Sequence, residues 1–356
     1  MSFAYISKRK RIDKEVSEMV PGSDRTFQNN LLIWENFDIF IKKNIVRSCA
    51  CQLSWSLDGT YLALGTVKGL LMLVYFPKKV DGMMVMQVKA ISSIPRCIRW
   101  LNDGCLYIAA HNGSFYNFKI FAQSISEDCV ENMSEFYTCA FWNENIIYGN
   151  KHIYLISNCK IIKTFGPGEN LTSCMIVVDD TLFVAYDYSQ NSSSDKSIIA
   201  FSLPSCAPVS NQLTECLFSY SHLCYSAPYI YGLTSDGKIT RFYAKAPFKP
   251  DKNFLINLSI PHGFKIQFDI KSNLLAYGDD NGKLIMKKIV ISNGSRNTAT
   301  DKSYKQPESL AKGNIVLKDF CDSSDPIVNV KFHPRLNYVA FSRWKGGFGI
   351  VPYNSF

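Results

Sequence analysis

The stretch from residue 51 to residue 76, CQLSWSLDGTYLALGTVKGLLMLVYF, limits what this chain can fold into. Leu53 and Trp55 alternate with polar neighbours, which is the two-residue period of a half-buried strand. An Asp-Gly turn follows, and the nearly apolar run Tyr61–Gly65 has the composition of a strand that lies between other strands. A second glycine-containing turn leads into the apolar run Leu70–Phe76. The stretch therefore predicts three short strands joined by two turns.

Similar units recur along the chain, each with a first strand, a turn, an apolar second strand and a further turn. Trp55 and Trp100 are 45 residues apart, and Trp100 and Phe141 are 41 residues apart. These distances are close to the ~40–45-residue period of a four-stranded repeat. Seven units can be counted, with first strands predicted at 51–55, 96–100, 138–142, 174–178, 216–220, 265–270 and 327–332.

This pattern resembles WD40-type repeats, in which each unit builds one blade of a β-propeller. The Trp-Asp pair that closes the best-marked repeats is missing, so the chain resembles a degenerate member. The resemblance implies an all-β fold, a single seven-bladed β-propeller over residues 29–356, after a flexible basic tail over 1–28. A polar insertion at about 292–325, rich in Ser, Lys, Asn and Asp, predicts an exposed and partly disordered loop within the propeller.

The chain also offers a strand that could close the ring. A closed propeller hides its last sheet edge when one strand of the final blade comes from the other terminus. Two short apolar segments, Leu31–Trp34 and Phe37–Ile41, precede the first full unit. Either segment could pair with the last unit, which ends near Tyr353.

The N-terminal tail contains a run of four basic residues, Lys8, Arg9, Lys10 and Arg11. Such a run in an exposed tail is a minimal nuclear-import signal, and a solvated charge cluster is the alternative interpretation. We therefore expect a nuclear protein, with the cytoplasm as the alternative. The charged N-terminus lacks the apolar region of a secretory leader, and no apolar run reaches the ~20 residues that cross a bilayer, so membrane insertion is not expected.

The twelve cysteines show no spacing typical of zinc sites, and the sequence contains no CxxC pair. Without a secretory leader they are expected to stay reduced. Several take equivalent places in their units, since Cys51, Cys97 and Cys139 each precede a first-strand aromatic residue. Cysteine is a small apolar filler for a tight strand. We interpret these residues as core packing and predict neither a metal site nor a cofactor.

Catalytic motifs of the common hydrolase, nucleotide-binding and metalloprotease types are absent from the sequence. His111 and His333 fall where the repeat has turns, and neither has a Cys or Ser partner at local spacing. We predict that both have turn or capping roles. The sequence therefore predicts no catalytic residue and no small-molecule substrate.

A binding surface is predicted where the ring would close. In the family that the chain resembles, one face carries the turns between the second and third strands of each blade. Blades seven, one and two would there bring together Lys68, Arg96, Trp344 and Lys345, which we call the basic sector. A tryptophan beside cations is the composition of a binding hot spot. The alternative is that Trp344 folds back over the edge of its own blade.

These observations favour a non-catalytic scaffold that binds proteins within a multiprotein complex. The final unit is similar to propeller subunits of the RNA polymerase III general factor, and equally to nuclear-pore, messenger-export and checkpoint propellers. The processes implied are therefore transcription, chromatin, RNA export, nuclear transport or checkpoint control. The net charge of +9 and the basic tail leave open an acidic peptide partner or a nucleic-acid-binding propeller. A propeller hydrolase is a third alternative.

Overall fold

A computed structural model describes most of the chain after residue 49. The described residues are 32–33, 50–77, 84–91, 93–102, 104–121, 124–129, 136–168, 170–187, 198–210, 218–252, 254–258, 266–279, 281–289, 314–317 and 325–353. These segments contain strands and turns and no helix, so the all-β prediction is confirmed for them. Among them is no helix of the length and hydropathy that crossing a bilayer requires.

Seven four-stranded antiparallel sheets, the blades, account for all the strands that the structure describes. Blade one comprises β2 (Ala50–Trp55), β3 (Tyr61–Thr66), β4 (Leu70–Tyr75) and β5 (Met84–Ala90). Blade two comprises β6 (Pro95–Asn102), β7 (Cys105–Ala110), β8 (Ser114–Lys119) and β9 (Ser124–Cys129). Blade three comprises β10 (Thr138–Trp142), β11 (Asn145–Gly149), β12 (Ile153–Ser157) and β13 (Lys160–Phe165). Blade four comprises β14 (Leu171–Val178), β15 (Thr181–Asp187), β16 (Ile198–Ser202) and β17 (Ala207–Ser210). Blade five comprises β18 (Tyr220–Ser226), β19 (Tyr229–Thr234), β20 (Lys238–Tyr243) and β21 (Ile256–Asn257). Blade six comprises β22 (Phe268–Lys271), β23 (Leu274–Gly278), β24 (Leu284–Lys288) and β25 (Asn314–Leu317). Blade seven comprises β26 (Ile327–Phe332), β27 (Tyr338–Arg343) and β28 (Phe348–Pro352), with β1 (Leu32–Ile33) from the start of the chain.

The blades are arranged as a closed ring around a central channel. The first strand of each blade contacts the first strands of both neighbours, and β26 of blade seven contacts β2 of blade one. Each first strand therefore lies next to the axis, and each fourth strand lies at the rim. The prediction of one seven-bladed β-propeller is confirmed. Stacking is required because a single blade cannot bury both of its faces.

The ring is closed by the N-terminal strand. β1 pairs antiparallel with β28, with Leu32 opposite Ile350 and Ile33 opposite Gly349. Of the two closing strands that the sequence offered, Leu31–Trp34 is therefore the one used, and Phe37–Ile41 lies outside the described residues. The pairing covers the edge of β28, which would otherwise expose unpaired backbone groups.

Aromatic side chains fill the wedges between blades. Trp55 and Trp100 are buried on first strands, where each packs against the preceding blade. The Trp100 Nε1–H donates to the carbonyl of Ser54 at 3.0 Å, and the Trp55 Nε1–H donates to the carbonyl of Lys331 at 3.3 Å. Phe141, buried in the corresponding place of blade three, fills the gap without such a donor. The three aromatic anchors predicted from the sequence therefore fill equivalent gaps between adjacent blades.

His333 joins blade seven to blade one. Its Nδ1 accepts hydrogen bonds from the backbone N–H groups of Arg335 and Leu336, and its Nε2–H donates to the carbonyl of Gly59 at 3.0 Å. The imidazole is buried against Trp55, with ring centroids 4.7 Å apart. Burial lowers the pKa of His333 to about 4, so the ring is neutral. The predicted capping role is confirmed and extends across the ring junction.

Gly59 is required at this junction for two reasons. Its φ of +81° lies in the left-handed region that favours glycine. A Cβ at Gly59 would also lie 2.0 Å from the His333 imidazole. The Asp-Gly turn that the sequence predicted therefore also forms the contact between blade one and His333 of blade seven.

The largest differences from the sequence-based expectation are in blades five and six. The first strand of blade five was predicted at 216–220 and is instead Tyr220–Ser226, where polar Ser221 and His222 interrupt the apolar pattern. Within the predicted loop at about 292–325, the short apolar segment Asn314–Leu317 forms β25 and pairs with β24. The predicted tail over 1–28, with its basic run, lies outside the described residues.

Candidate functional site

Five of the seven first strands carry a bulge near their start, at the end of the channel on the face with the β3–β4 turn, which we call the upper face. The register of these strands shifts around Cys51, Arg96, Ser173, Ser221 and Val328. A bulge inserts one residue and re-aims its side chain. These residues therefore surround the upper mouth of the channel.

Three of the bulge residues have small side chains that donate a hydrogen bond to a backbone carbonyl of their own blade. Cys51 Sγ–H donates to the carbonyl of Gly65, and the hydroxyls of Ser173 and Ser221 donate to the equivalent carbonyls of Ala185 and Leu233 at 3.1 and 3.2 Å. Arg96 breaks this pattern because its long cationic side chain cannot make the same short contact. The bulge of blade two therefore presents a guanidinium to the upper face.

Interblade hydrogen bonds fix blades seven, one and two side by side at this face. The Ser342 hydroxyl at the end of β27 donates to the carbonyl of Ala50 at 2.7 Å, and Asn329 Nδ2 donates to the carbonyl of Cys51 at 3.1 Å. The Cys51 thiol in turn contacts the carbonyl of Pro95 at 3.5 Å. The β27–β28 turn, the β3–β4 turn and the start of β6 therefore form one continuous surface.

Trp344 stands on the β27–β28 turn of that surface. Its backbone N–H donates to the carbonyl of Pro326 at 2.8 Å, which fixes the turn against the entrance of β26. The residue is 51% exposed. Trp344 is therefore not fully buried against its own blade, and about half of its surface faces solvent.

The neighbouring charges have a defined arrangement. Lys345 is exposed, and its backbone N–H donates to Asp325 Oδ1 at 2.8 Å. Asp325 is itself buried, and this burial raises the pKa of its carboxyl group. On blade one, Lys68 and its neighbour Val67 are both exposed on the β3–β4 turn. Lys68 and Lys345 are therefore exposed cations on these two turns, and Asp325, which accepts from the backbone of Lys345, is withdrawn from solvent.

Arg96 is half-buried and less accessible than the other members of the basic sector. Its Nη2 lies 3.4 Å from His111 Nδ1, while the same Nδ1 makes a closer contact with the carbonyl of Phe136. A carbonyl can only accept, so Nδ1 carries the proton and the Arg96 contact is a packing contact rather than a hydrogen bond. The buried Nε of Arg96 has no hydrogen-bond partner in the described part of the chain.

Inside the channel, polar groups of blades five to seven bond to one another. Asp269 accepts from the Phe332 N–H at 2.8 Å and from Lys331 Nζ at 3.3 Å. Cys224 Sγ lies 3.3 Å from the same carboxylate, and burial together with Asp269 raises the pKa of this thiol to about 12. His222 donates to a backbone carbonyl of β22, and burial, with a smaller contribution from Lys331, lowers its pKa to about 3. These groups fasten adjacent blades together.

The described segments contain no cluster of three or more His, Cys, Asp or Glu side chains that could hold a metal ion. Eight cysteines of these segments are reduced thiols, and four of them, Cys139, Cys174, Cys206 and Cys224, are buried. The burial of Cys139 agrees with the packing role predicted from its position in the repeat.

The structure thus places the four residues of the predicted basic sector on three adjacent blades of one face. Sequence reasoning missed the bulge that turns Arg96 toward this face, because a bulge is defined by the register of the partner strand. It also missed the bonds from Ser342 and Asn329 that hold the blades together. The chain matches no protein-family model and no curated protein.

Proposed function

We propose that this propeller is a degenerate WD40-type scaffold, without catalytic activity, that binds a protein partner through the basic sector of its upper face. The observation that carries the proposal is Trp344, half-exposed on a turn that backbone hydrogen bonds hold in place. A rigid exposed aromatic group supplies a large buried area at low entropic cost. Flanking cations attract an acidic segment and speed its association.

The state of Arg96 supports an acidic partner. A buried N–H group without an acceptor is uncommon in folded proteins and costs free energy. The Nε of Arg96 is such a group, at the mouth of the channel beside the exposed turn of blade one. Because this Nε is buried in the free protein, a carboxylate or carbonyl of the partner would supply the missing acceptor only once the half-buried Arg96 side chain turns outward.

The first test is an affinity purification of the tagged protein with identification of the bound proteins by mass spectrometry. Trp344→Ala should weaken the main complex by about 30-fold, since truncating a central tryptophan commonly costs about 2 kcal/mol of binding free energy. Lys68→Ala should have a small effect on affinity and should slow association at low salt. The matched control is Phe121→Ala, which removes a 78% exposed aromatic residue from the β8–β9 turn on the opposite face.

Retention of every stable partner by Trp344→Ala, with loss through Phe121→Ala, would place the binding surface on the opposite face. Binding to bare DNA or RNA that weakens steeply as salt is raised would favour the nucleic-acid-binding alternative instead.

We further propose that the complex is nuclear and that Lys8, Arg9, Lys10 and Arg11 direct import. Replacing all four with Ala should shift a tagged protein toward the cytoplasm. An unchanged distribution in imaged cells would refute the role of this run. If a bound partner carries the variant into the nucleus, depleting that partner distinguishes this route from import directed by the basic run.

A further inference from the structure

The connection between β20 and β21, residues 244–255, lies at the lower end of blade five, on the face opposite the basic sector. The Tyr243 N–H donates to the carbonyl of Lys249 at 3.1 Å, so the connection folds back along the outer edge of β20. Phe248 is buried in the gap towards blade four, and Phe254 is buried in the gap towards blade six. The connection is therefore a fixed part of the blade.

The exposed charges of this connection are positive. Lys245, Lys249 and Lys252 are all exposed, and none of them forms an ion pair with any residue that the structure describes. Asp251 is the one carboxylate of the connection. It binds the Arg241 guanidinium, with Asp251 Oδ2 at 2.9 Å from Nε and 2.8 Å from Nη2. The connection therefore presents three cations to solvent, and its single acidic group is already neutralised.

The ion pair that neutralises Asp251 is fixed in the interior of the blade. The Arg241 guanidinium lies between the rings of Tyr229 and Phe254, at 4.2 Å from each centroid. Arg241 is buried, and a cation enclosed by two aromatic faces is held strongly in place. Asp251 therefore stays paired with Arg241 and does not compete for the three lysines.

An exposed aromatic side chain lies beside these lysines. Tyr243 is 44% exposed at the lower end of β20, next to Lys249 through the backbone hydrogen bond between them. Its ring packs on Tyr229 with the centroids 4.8 Å apart, and the Tyr229 hydroxyl donates to the Tyr243 hydroxyl at 3.3 Å. The ring is therefore held in one orientation while almost half of the residue remains open to solvent.

We propose that Tyr243, Lys245, Lys249 and Lys252, which we call the blade-five patch, bind single-stranded nucleic acid. An unpaired base stacks on the Tyr243 ring, and the lysine ammonium groups contact the phosphates on either side of it. Lysine is depleted at interfaces between proteins, so this composition favours a polyphosphate strand over an acidic peptide. Neither stacking nor a phosphate contact distinguishes ribose from deoxyribose, so single strands of RNA and of DNA both fit the patch.

This binding goes beyond the proposed function and is independent of it. The blade-five patch lies at the lower rim of the ring, whereas the basic sector lies on the upper face of blades seven, one and two. Nucleic-acid binding supports the alternative function only where it depends on Lys68 or Trp344 of the basic sector.

The test measures the binding of labelled oligouridylate and oligothymidylate, each of about 12 nucleotides, by fluorescence anisotropy. All proteins are full-length and have Ala at the four positions of the N-terminal basic run, so that the tail does not contribute. Both strands should bind. The logarithm of the association constant should fall with the logarithm of salt concentration with a slope of about 2, as expected for three phosphate contacts.

Variants separate stacking from charge. Tyr243→Ala should weaken binding by about tenfold, and Tyr243→Phe should bind normally because the stacking ring remains. Lys249→Gln should lower the salt slope by about 0.7. The matched control is Lys119→Gln with Phe121→Ala, which removes an exposed lysine and an exposed aromatic residue from the corresponding end of β8 in blade two. This control should leave the affinity unchanged.

Failure of both strands to bind, or an equal loss in the control variant, would overturn the proposal. So would binding that Tyr243→Ala leaves intact, because charge alone would then hold the strand. Polyglutamate that displaces the strand as well as an unlabelled oligonucleotide does would instead identify a surface for acidic peptides. Loss of binding through Lys68→Ala would place the strand on the basic sector. If melting shows that Tyr243→Ala fails to fold, Lys249→Gln, at an exposed position, still decides the outcome through the salt slope.

Discussion

Replacing His333 with Ala should destabilise the propeller by about 3–5 kcal/mol, because the imidazole is buried at the junction where the ring closes. The change removes three hydrogen bonds, with the carbonyl of Gly59 and with the N–H groups of Arg335 and Leu336. Each contributes about 1 kcal/mol net. Loss of the ring contact with Trp55 at 4.7 Å adds about 1 kcal/mol.

The pH dependence of stability provides a sharper signature of the same residue. The pKa of His333 is lowered in the folded protein to about 4, from 6.5. The unfolded chain therefore binds this proton more readily, so the contribution of His333 is fully present above pH 6.5 and is lost as the pH falls toward 4. The shift corresponds to at most about 3 kcal/mol, at 1.36 kcal/mol per pKa unit.

Urea unfolding of the wild type and of His333→Ala between pH 4 and pH 8 measures both effects. The variant should be less stable at pH 8, and the two stability curves should converge toward pH 4. His222 also has a lowered pKa, to about 3, and is present in both proteins, so its contribution cancels in the difference. His152→Ala, at an exposed site, should stay within about 0.5 kcal/mol of the wild type. Parallel pH curves, or a loss below about 1 kcal/mol at pH 8, would refute the junction role.

Two further predictions concern the ring. Deleting residues 1–45 removes β1 and uncovers β28, so the melting temperature should fall much further than after deletion of residues 1–25, and equal melting temperatures would contradict closure by β1. Trp100→Phe keeps an aromatic side chain at this position but removes the Nε1–H bond to the carbonyl of Ser54. The free energy of unfolding in urea should therefore fall by about 1 kcal/mol. An unchanged midpoint would show that packing alone holds this side chain in place.

The features that the sequence could predict are those that depend on local sequence patterns. Turn residues and alternating strands mark each blade, and the aromatic anchors at Trp55, Trp100 and Phe141 give the period. The position of the closing strand followed from a general property of rings, since a sheet edge must be covered. The choice between the two N-terminal segments needed the structure, because both are short and apolar.

The features that the sequence could not predict depend on residues far apart in the chain. The orientation of Arg96 comes from a bulge, and its environment comes from His111 on the next turn. The first strand of blade five was misplaced because Tyr220–Ser226 carries polar groups that bond within the channel instead of an apolar stripe.

Hydrogen exchange of the propeller, alone and with its purified partner, tests most directly the claim that the basic sector is the binding surface. We expect slower exchange on binding in peptides that contain the β3–β4 turn with Lys68, the start of β6 with Arg96, and the β27–β28 turn with Trp344. Exchange at the lower face and at the rim strands should not change. Protection confined to the lower turns or to rim strands such as β13, with these three segments unaffected, would show that the basic sector is not the binding surface.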